Sequence, residues 1–139
     1  MKTKITLIVG LPGSGKTTLA HFLFNENPWD VLLLDDLSLT PERINEFDPE
    51  LHNRIIITDP QLCGVDEVTI RRKCKQFFPN TELQFKFIYF ENNPEACLVN
   101  AMRDPKPGGT EYAIKTLSKE YVIPYDADVR KVYVQKISS

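Results

Sequence analysis

The sequence predicts an α/β fold with a mainly parallel sheet of about five strands, helices on both faces and a small lid loop. Apolar, strand-like runs alternate along the chain with stretches that have helical periodicity. Near-continuous apolar strands are typical of parallel sheets buried on both faces. The chain has 139 residues, of which 42% are hydrophobic and 26% charged, so we expect a single domain over residues 1–139.

The expected strands are short runs rich in Ile, Leu, Val and aromatic residues, bounded by turn-forming residues. They cover residues 4–9, 31–35, 54–59, 83–90 and 130–137. Helices are expected between them at residues 15–25, 40–47, 66–78, 93–103 and 110–121. Thr40 and Asn93 each precede a proline, which is the usual order of an N-cap and a first helical residue. The stretch 103–109, with two prolines and two glycines, is the expected lid loop.

The segment "GLPGSGKT", residues 10–17, matches the pattern G-x-x-x-x-G-K-[ST] between an expected strand and an expected helix. The glycines let successive backbone N–H groups point into one anion-sized hollow, and the helix adds its positive end. Lys16 can reach the β- and γ-phosphates, and the Thr17 hydroxyl can bind Mg²⁺. The sequence therefore predicts a P-loop that binds ATP. The residues expected to bind it are Gly10, Gly13, Ser14, Gly15, Lys16, Thr17 and Thr18.

Aspartates follow two of the expected strands, at the sheet edge where open α/β sheets bind ligands. Asp59 is expected to hold Mg²⁺ together with Thr17, or alternatively to cap the turn that begins at Pro60. Asp35 is the expected general base for an acceptor hydroxyl, and Asp36 is expected to position the acceptor. The pair could also simply close the strand as turn formers. Arg103, at the edge of the lid loop, is expected to stabilise charge on the transferred phosphoryl group, with Lys106 as a second candidate.

The stretches "GLPGSGKTT", "LLLDD", "IIITD" and "FENNPEACLVNAMRD" resemble the kinase domain of bacteriophage polynucleotide 5′-hydroxyl kinases and related phage hydroxymethyluracil-DNA kinases. The resemblance extends from the first strand through the lid. It implies a P-loop kinase fold, DNA modification, ATP and Mg²⁺ as cofactors, and nucleic acid as the acceptor. It also implies Asp35 as the general base and Arg103 as the lid arginine. The family has an arginine shortly after the aspartate pair, for which Arg43 is the candidate here.

The cysteine content, the length of the apolar runs and the net charge exclude several classes of protein. The three cysteines, Cys63, Cys74 and Cys97, form no CxxC pair, which argues against a disulfide framework or zinc site and favours the cytoplasm, or a host's cytoplasm if phage-encoded. Each cysteine is expected to be a small buried residue. No apolar run approaches the length of a membrane span. The formal net charge of −2 gives no general attraction to nucleic acid.

Two alternatives to a nucleic-acid kinase stay open. The slightly acidic composition suits a kinase that acts on a nucleoside, a nucleotide or another small metabolite. An ATPase that drives a partner would need a residue to position water, and only Gln61 is placed for this after the third expected strand.

Overall fold

The computed structural model describes residues 2–34, 46–103 and 110–134. They form one sheet of five strands, all parallel, in the order β2-β3-β1-β4-β5. The strands are β1 (Lys2–Val9), β2 (Val31–Leu34), β3 (Arg54–Thr58), β4 (Glu82–Phe90) and β5 (Asp128–Arg130). The predicted parallel sheet of five strands is therefore confirmed.

The α-helices of the described residues are α1 (Lys16–Glu26), α2 (Glu67–Phe77), α3 (Pro94–Arg103) and α4 (Thr110–Glu120). Two of them begin at side-chain caps: Asp66 Oδ1 accepts from Thr69 N–H at 2.7 Å, and Asn93 Oδ1 accepts from Ala96 N–H at 3.1 Å. The helix predicted over 40–47 lies mostly outside the described residues, and its last two positions are not helical.

Helices cover both faces of the sheet, as the order of the strands requires. The connection from β1 to β2 and the connection from β3 to β4 run in opposite directions across the sheet. Because such connections are right-handed, α1 and α2 lie on opposite faces. The connection from β4 to β5 runs the same way as that from β3, so α3 and α4 share the face of α2.

The core is centred on β1, which pairs with β3 on one side and β4 on the other. Ile5, Leu7 and Ile8 of this strand are fully buried, as are Ile55, Ile56 and Ile57 of β3. Cys63, Cys74 and Cys97 are also buried, which confirms that expectation. None of the helices in the described parts of the chain is long and apolar enough to cross a bilayer.

The last strand differs from the prediction of residues 130–137. β5 covers only Asp128–Arg130, where it pairs with Ile88–Phe90 of β4. Residues 131–134 lie outside any strand, and 135–137 lie outside the described residues. Val132 is 7% exposed, and its N–H donates to Glu91 Oε1 at 3.0 Å instead of to a strand. The next apolar residues, Tyr133 and Val134, are exposed, so the alternation here marks neither a strand nor a buried face.

Candidate active site

The P-loop connects the end of β1 to the start of α1. Ser14 N–H donates to Leu11 O at 3.1 Å, which closes a tight turn with Pro12 and Gly13 at its centre. Gly13 has a φ of +82°, so the turn has the proline and the left-handed glycine that a type II turn requires. Ser14 Oγ is buried against Gly10, where an added Cβ would lie 2.5 Å from it. A close-packed backbone turn therefore explains the glycines and the proline of the motif.

The second half of the loop forms the N-terminus of α1. Gly15 is the N-cap residue with a φ of +104°, and its carbonyl accepts the first bond of the helix, from Leu19 N–H at 3.0 Å. Because glycine has no side chain, it cannot cap the N–H groups of the first turn, which carries Lys16, Thr17 and Thr18. The positive end of the helix dipole lies at the same place. This cradle fits a phosphate group.

Two buried charges lie beside this cradle. Lys16 is 5% exposed and Asp59, which directly follows β3, is 4% exposed. Both act on the thiol of Cys63: burial raises the pKa of this thiol to about 12, while the Lys16 ammonium lowers it and the Asp59 carboxylate raises it. The two charges therefore both act on one buried region, between the start of α1 and the carboxyl end of β3.

Asp59 also has the alternative role that its position before Pro60 suggested. It is the N-cap of a 3₁₀ turn, Pro60–Gly64, and its Oδ1 accepts from Gln61 N–H at 2.9 Å. Thr17 lies on the first turn of α1 and is exposed. A hydroxyl and a carboxylate suit Mg²⁺, which is usually held by one or two protein oxygens together with substrate phosphates. The donor set is therefore compatible with the metal.

Of the other predicted catalytic and acceptor-binding residues, the structure describes only Arg103. Asp35, Asp36, Arg43 and Lys106 lie outside the described residues. Arg103 is the last residue of α3 and is exposed. Its predicted contact with the transferred group stays a prediction.

Two residues that the sequence did not single out hold the P-loop and the strand ends beside it: Asn100 on α3, and Tyr121, which directly follows α4. Asn100 Nδ2 donates to Gly13 O and to Tyr133 O, each at 2.9 Å. The Tyr121 hydroxyl lies 2.5 Å from Phe90 O and 3.2 Å from Val9 O, at the carboxyl ends of β4 and β1. Burial raises the pKa of Tyr121 well above its usual value, so the hydroxyl keeps its proton. No local pattern marks either residue, because their partners lie far away in the sequence.

A cleft of about 270 Å³ adjoins Asp59 on the side of α2. Its lining combines apolar side chains with amides and one lysine. The lining residues are Asp59, Gln61, Leu62, Val65, Lys73, Gln76 and Phe77.

Comparison with protein families finds a match to an AAA domain over residues 5–61, which include the P-loop and Asp59. No curated protein sequence matches the chain significantly.

Several solved structures share the fold at low sequence identity. A gluconokinase from Sinorhizobium meliloti 1021 is 10% identical, with a TM-score of 0.59, and the match covers 93% of this chain and 82% of that one. A fungal RNA kinase is 19% identical, with a TM-score of 0.58, over 98% of this chain but 39% of that one. The Mycobacterium tuberculosis APS kinase CysC, solved with AMPPNP and APS, is 17% identical, with a TM-score of 0.53. That match covers 92% of this chain and 87% of that one. The chain therefore has the α/β fold of P-loop kinases.

Proposed function

We propose that this chain is an ATP-dependent kinase that transfers the γ-phosphoryl group of ATP to a hydroxyl of an acceptor. The observation that carries the proposal is the loop between β1 and α1, with left-handed glycines at 13 and 15 and a buried lysine at 16. Backbone N–H groups at a helix N-terminus, together with a lysine, are the usual partners of a bound phosphate group. The structural neighbours are kinases, which supports transfer to an acceptor over simple binding.

In the proposed reaction, the acceptor oxygen forms a bond to the γ-phosphorus while the bond from that phosphorus to the bridging oxygen breaks, and ADP leaves. Lys16 stabilises the β- and γ-phosphate oxygens. Asp35 orients the acceptor hydroxyl and receives its proton, and Arg103 balances charge on the transferred group. Thr17 and Asp59 would hold Mg²⁺, which supplies further neutralisation of the phosphates when it is bound.

We favour a nucleic-acid hydroxyl as the acceptor, either a 5′ end or a hydroxymethylated base. The resemblance of four stretches of the sequence to polynucleotide kinases supports this, and so does the match of 98% of the chain to part of a fungal RNA kinase. Asp36 and Arg43 are the residues proposed to contact the acceptor.

A small metabolite is the alternative acceptor. The gluconokinase and APS kinase share the fold, and the net charge of −2 gives a polyanion no general attraction. In this alternative the molecule occupies the cleft that Asp59 lines. An ATPase is less favoured, although Gln61 lines the cleft and could position water.

Transfer of labelled γ-phosphate from ATP separates these functions. The acceptors are a 5′-hydroxyl oligonucleotide, DNA with 5-hydroxymethyluracil, 5′-phosphorylated DNA, free nucleosides and gluconate. We expect label in one of the two hydroxyl-bearing polymers, lowered about 10²–10⁴-fold by Asp35→Asn. A Lys75→Gln variant, changed on the exposed side of α2, is the control with full activity.

If the labelled phosphate appears only in nucleosides or gluconate, the protein is a kinase that acts on small metabolites. Label only in inorganic phosphate, equally with Asp35→Asn, would contradict a kinase and leave an ATPase.

A further inference from the structure

The peptide group between Gly13 and Ser14 is held by hydrogen bonds at both ends. Its N–H, on Ser14, donates to Leu11 O at 3.1 Å. Its carbonyl, on Gly13, accepts from Asn100 Nδ2 at 2.9 Å. Because Asn100 is 8% exposed, the carbonyl points towards α3 and into the protein. A single backbone plane in the centre of the P-loop is thus fixed in direction.

Asn100 suits this position because of the donors that its amide carries. Both contacts of Nδ2 are made to backbone carbonyl oxygens, Gly13 O and Tyr133 O. Two acceptors require the NH₂ end of the amide, which has two hydrogens to donate. The side chain thereby joins the P-loop to the segment after β5, over sequence separations of 87 and 33 residues.

The direction of this peptide matters for binding an anion. Glycine at 13 allows rotation of the plane, since a residue without Cβ has few conformational restrictions. Rotation would turn the Gly13 carbonyl away from α3 and break the hydrogen bonds at both ends of the peptide. The loop would then lose the shape on which we expect phosphate binding to depend, so the present orientation of the plane is the competent one. The competent fraction sets the apparent affinity.

We propose that Asn100 is a positioning residue that holds the Gly13–Ser14 peptide in the orientation competent for phosphate binding. The inference rests on the proposed nucleotide site, although it needs no particular acceptor. It predicts that loss of the amide weakens binding of every ligand with a phosphate chain. A residue needed only for folding would lower thermal stability without this selective loss.

The test measures equilibrium binding of ATP and of inorganic tripolyphosphate, together with the melting temperature. Asn100→Asp places oxygen atoms opposite two carbonyl oxygens, and Asn100→Ala removes the donors without adding repulsion. We expect both dissociation constants to rise about tenfold for Asn100→Ala, which corresponds to loss of one or two buried hydrogen bonds, and further for Asn100→Asp.

Two control variants separate positioning from stability. Ala101→Gly destabilises the same helix through backbone entropy but leaves both hydrogen bonds intact. Asn92→Ala removes another asparagine bond, from Asn92 Nδ2 to Ser118 O at 2.8 Å on the exposed surface. Both controls should bind ATP and tripolyphosphate as the unchanged chain does.

Unchanged affinity in Asn100→Ala would overturn the proposal, and so would an equal loss of affinity in Ala101→Gly at the same melting temperature. If Asn100→Asp does not fold, the comparison of Asn100→Ala with Ala101→Gly decides alone. Failure of the unchanged chain to bind either ligand would refute the nucleotide site itself, and this inference with it.

Discussion

The loop after β1 and the loop after β3 leave neighbouring strands at the same edge of the sheet, yet different interactions hold them in shape. The P-loop depends on backbone conformation, with two left-handed glycines. The loop after β3 depends on a side chain, because Asp59 accepts from Gln61 N–H. The P-loop therefore leaves the N–H groups at the start of α1 uncapped by a side chain, where a ligand can bind. In the loop after β3, the Asp59 carboxylate uses one of its oxygens to stabilise the turn.

The largest effect is expected when one glycine in each loop is changed to alanine, because only the P-loop depends on left-handed glycines. In Gly13→Ala the new Cβ would lie 2.6 Å from Cys97 O at a φ of +82°, so the loop must move. Strain of about 1–3 kcal/mol, together with this contact, should weaken ATP binding about 100-fold. Calorimetric titration with ATP measures it.

Gly64→Ala is the matched change in the other loop. The added Cβ would lie 3.4 Å from Glu120 Oε2, at the flexible end of that side chain, and Gly64 has no left-handed φ. We expect ATP affinity within about twofold of the unchanged chain and a stability change of about 0.5 kcal/mol or less. Equal effects of the two substitutions would contradict the distinction between the loops.

Substitution of Asp59 sharpens the comparison by separating its two roles. The amide oxygen of Asp59→Asn can still accept from Gln61 N–H, so the cap of the 3₁₀ turn should remain. Loss of the negative charge should reduce kcat about 10²-fold and raise the Mg²⁺ concentration needed for half-maximal activity. Initial rates over a Mg²⁺ titration measure both.

Asp59→Ala should lose the same activity and, in addition, about 1 kcal/mol of stability, because the cap of the 3₁₀ turn is removed. Full activity of Asp59→Asn at low Mg²⁺ would show that the residue acts only as a cap.

The last prediction concerns the titration of the Cys63 thiol, which leaves stability at neutral pH unchanged. Cys63 belongs to the turn after β3, and the Gly10 backbone N–H donates to it; burial raises its pKa from 9.0 to about 12. Above pH 9 the unfolded chain releases this proton while the folded chain keeps it, so stability falls as the pH rises towards 12. Between pH 9 and 11, Cys63→Ala should reduce this slope by up to about 1.4 kcal/mol per pH unit.

Urea unfolding at several pH values measures the slope. Cys74→Ala is the control on α2: the pKa of Cys74 is also raised by burial, to about 11, so its removal should flatten the curve to a similar extent. Parallel curves for Cys63→Ala and the unchanged chain would contradict the prediction.

The sequence was informative where structure is determined locally. β1, β3 and β4 lie close to their predicted bounds because their apolar runs are long enough to specify buried strands. The P-loop was predictable because its conformation depends on glycines within a few residues of one another. The Asn93 cap was visible for the same reason, since it bonds three residues ahead.

Contacts between residues far apart in the sequence could not be predicted from local patterns. Asn100 lies in a helix among residues of mixed polarity, and nothing near it indicates that its partners are Gly13 and Tyr133. β5 was misplaced because alternation at 130–137 resembles a strand, whereas the pairing with β4 determines which three residues form it. The proposed roles of Asp35 and Arg43 depend on residues outside the described ranges.

The short final strand has a consequence for association between molecules. A strand at the edge of a sheet offers unpaired backbone groups on which another chain can add. β5 offers only three residues, all exposed, and two of them are the oppositely charged Asp128 and Arg130, joined at 3.2 Å. An approaching strand would find few positions to pair with and would have to desolvate an ion pair. This edge of the sheet is therefore protected against aggregation by its brevity and its charges.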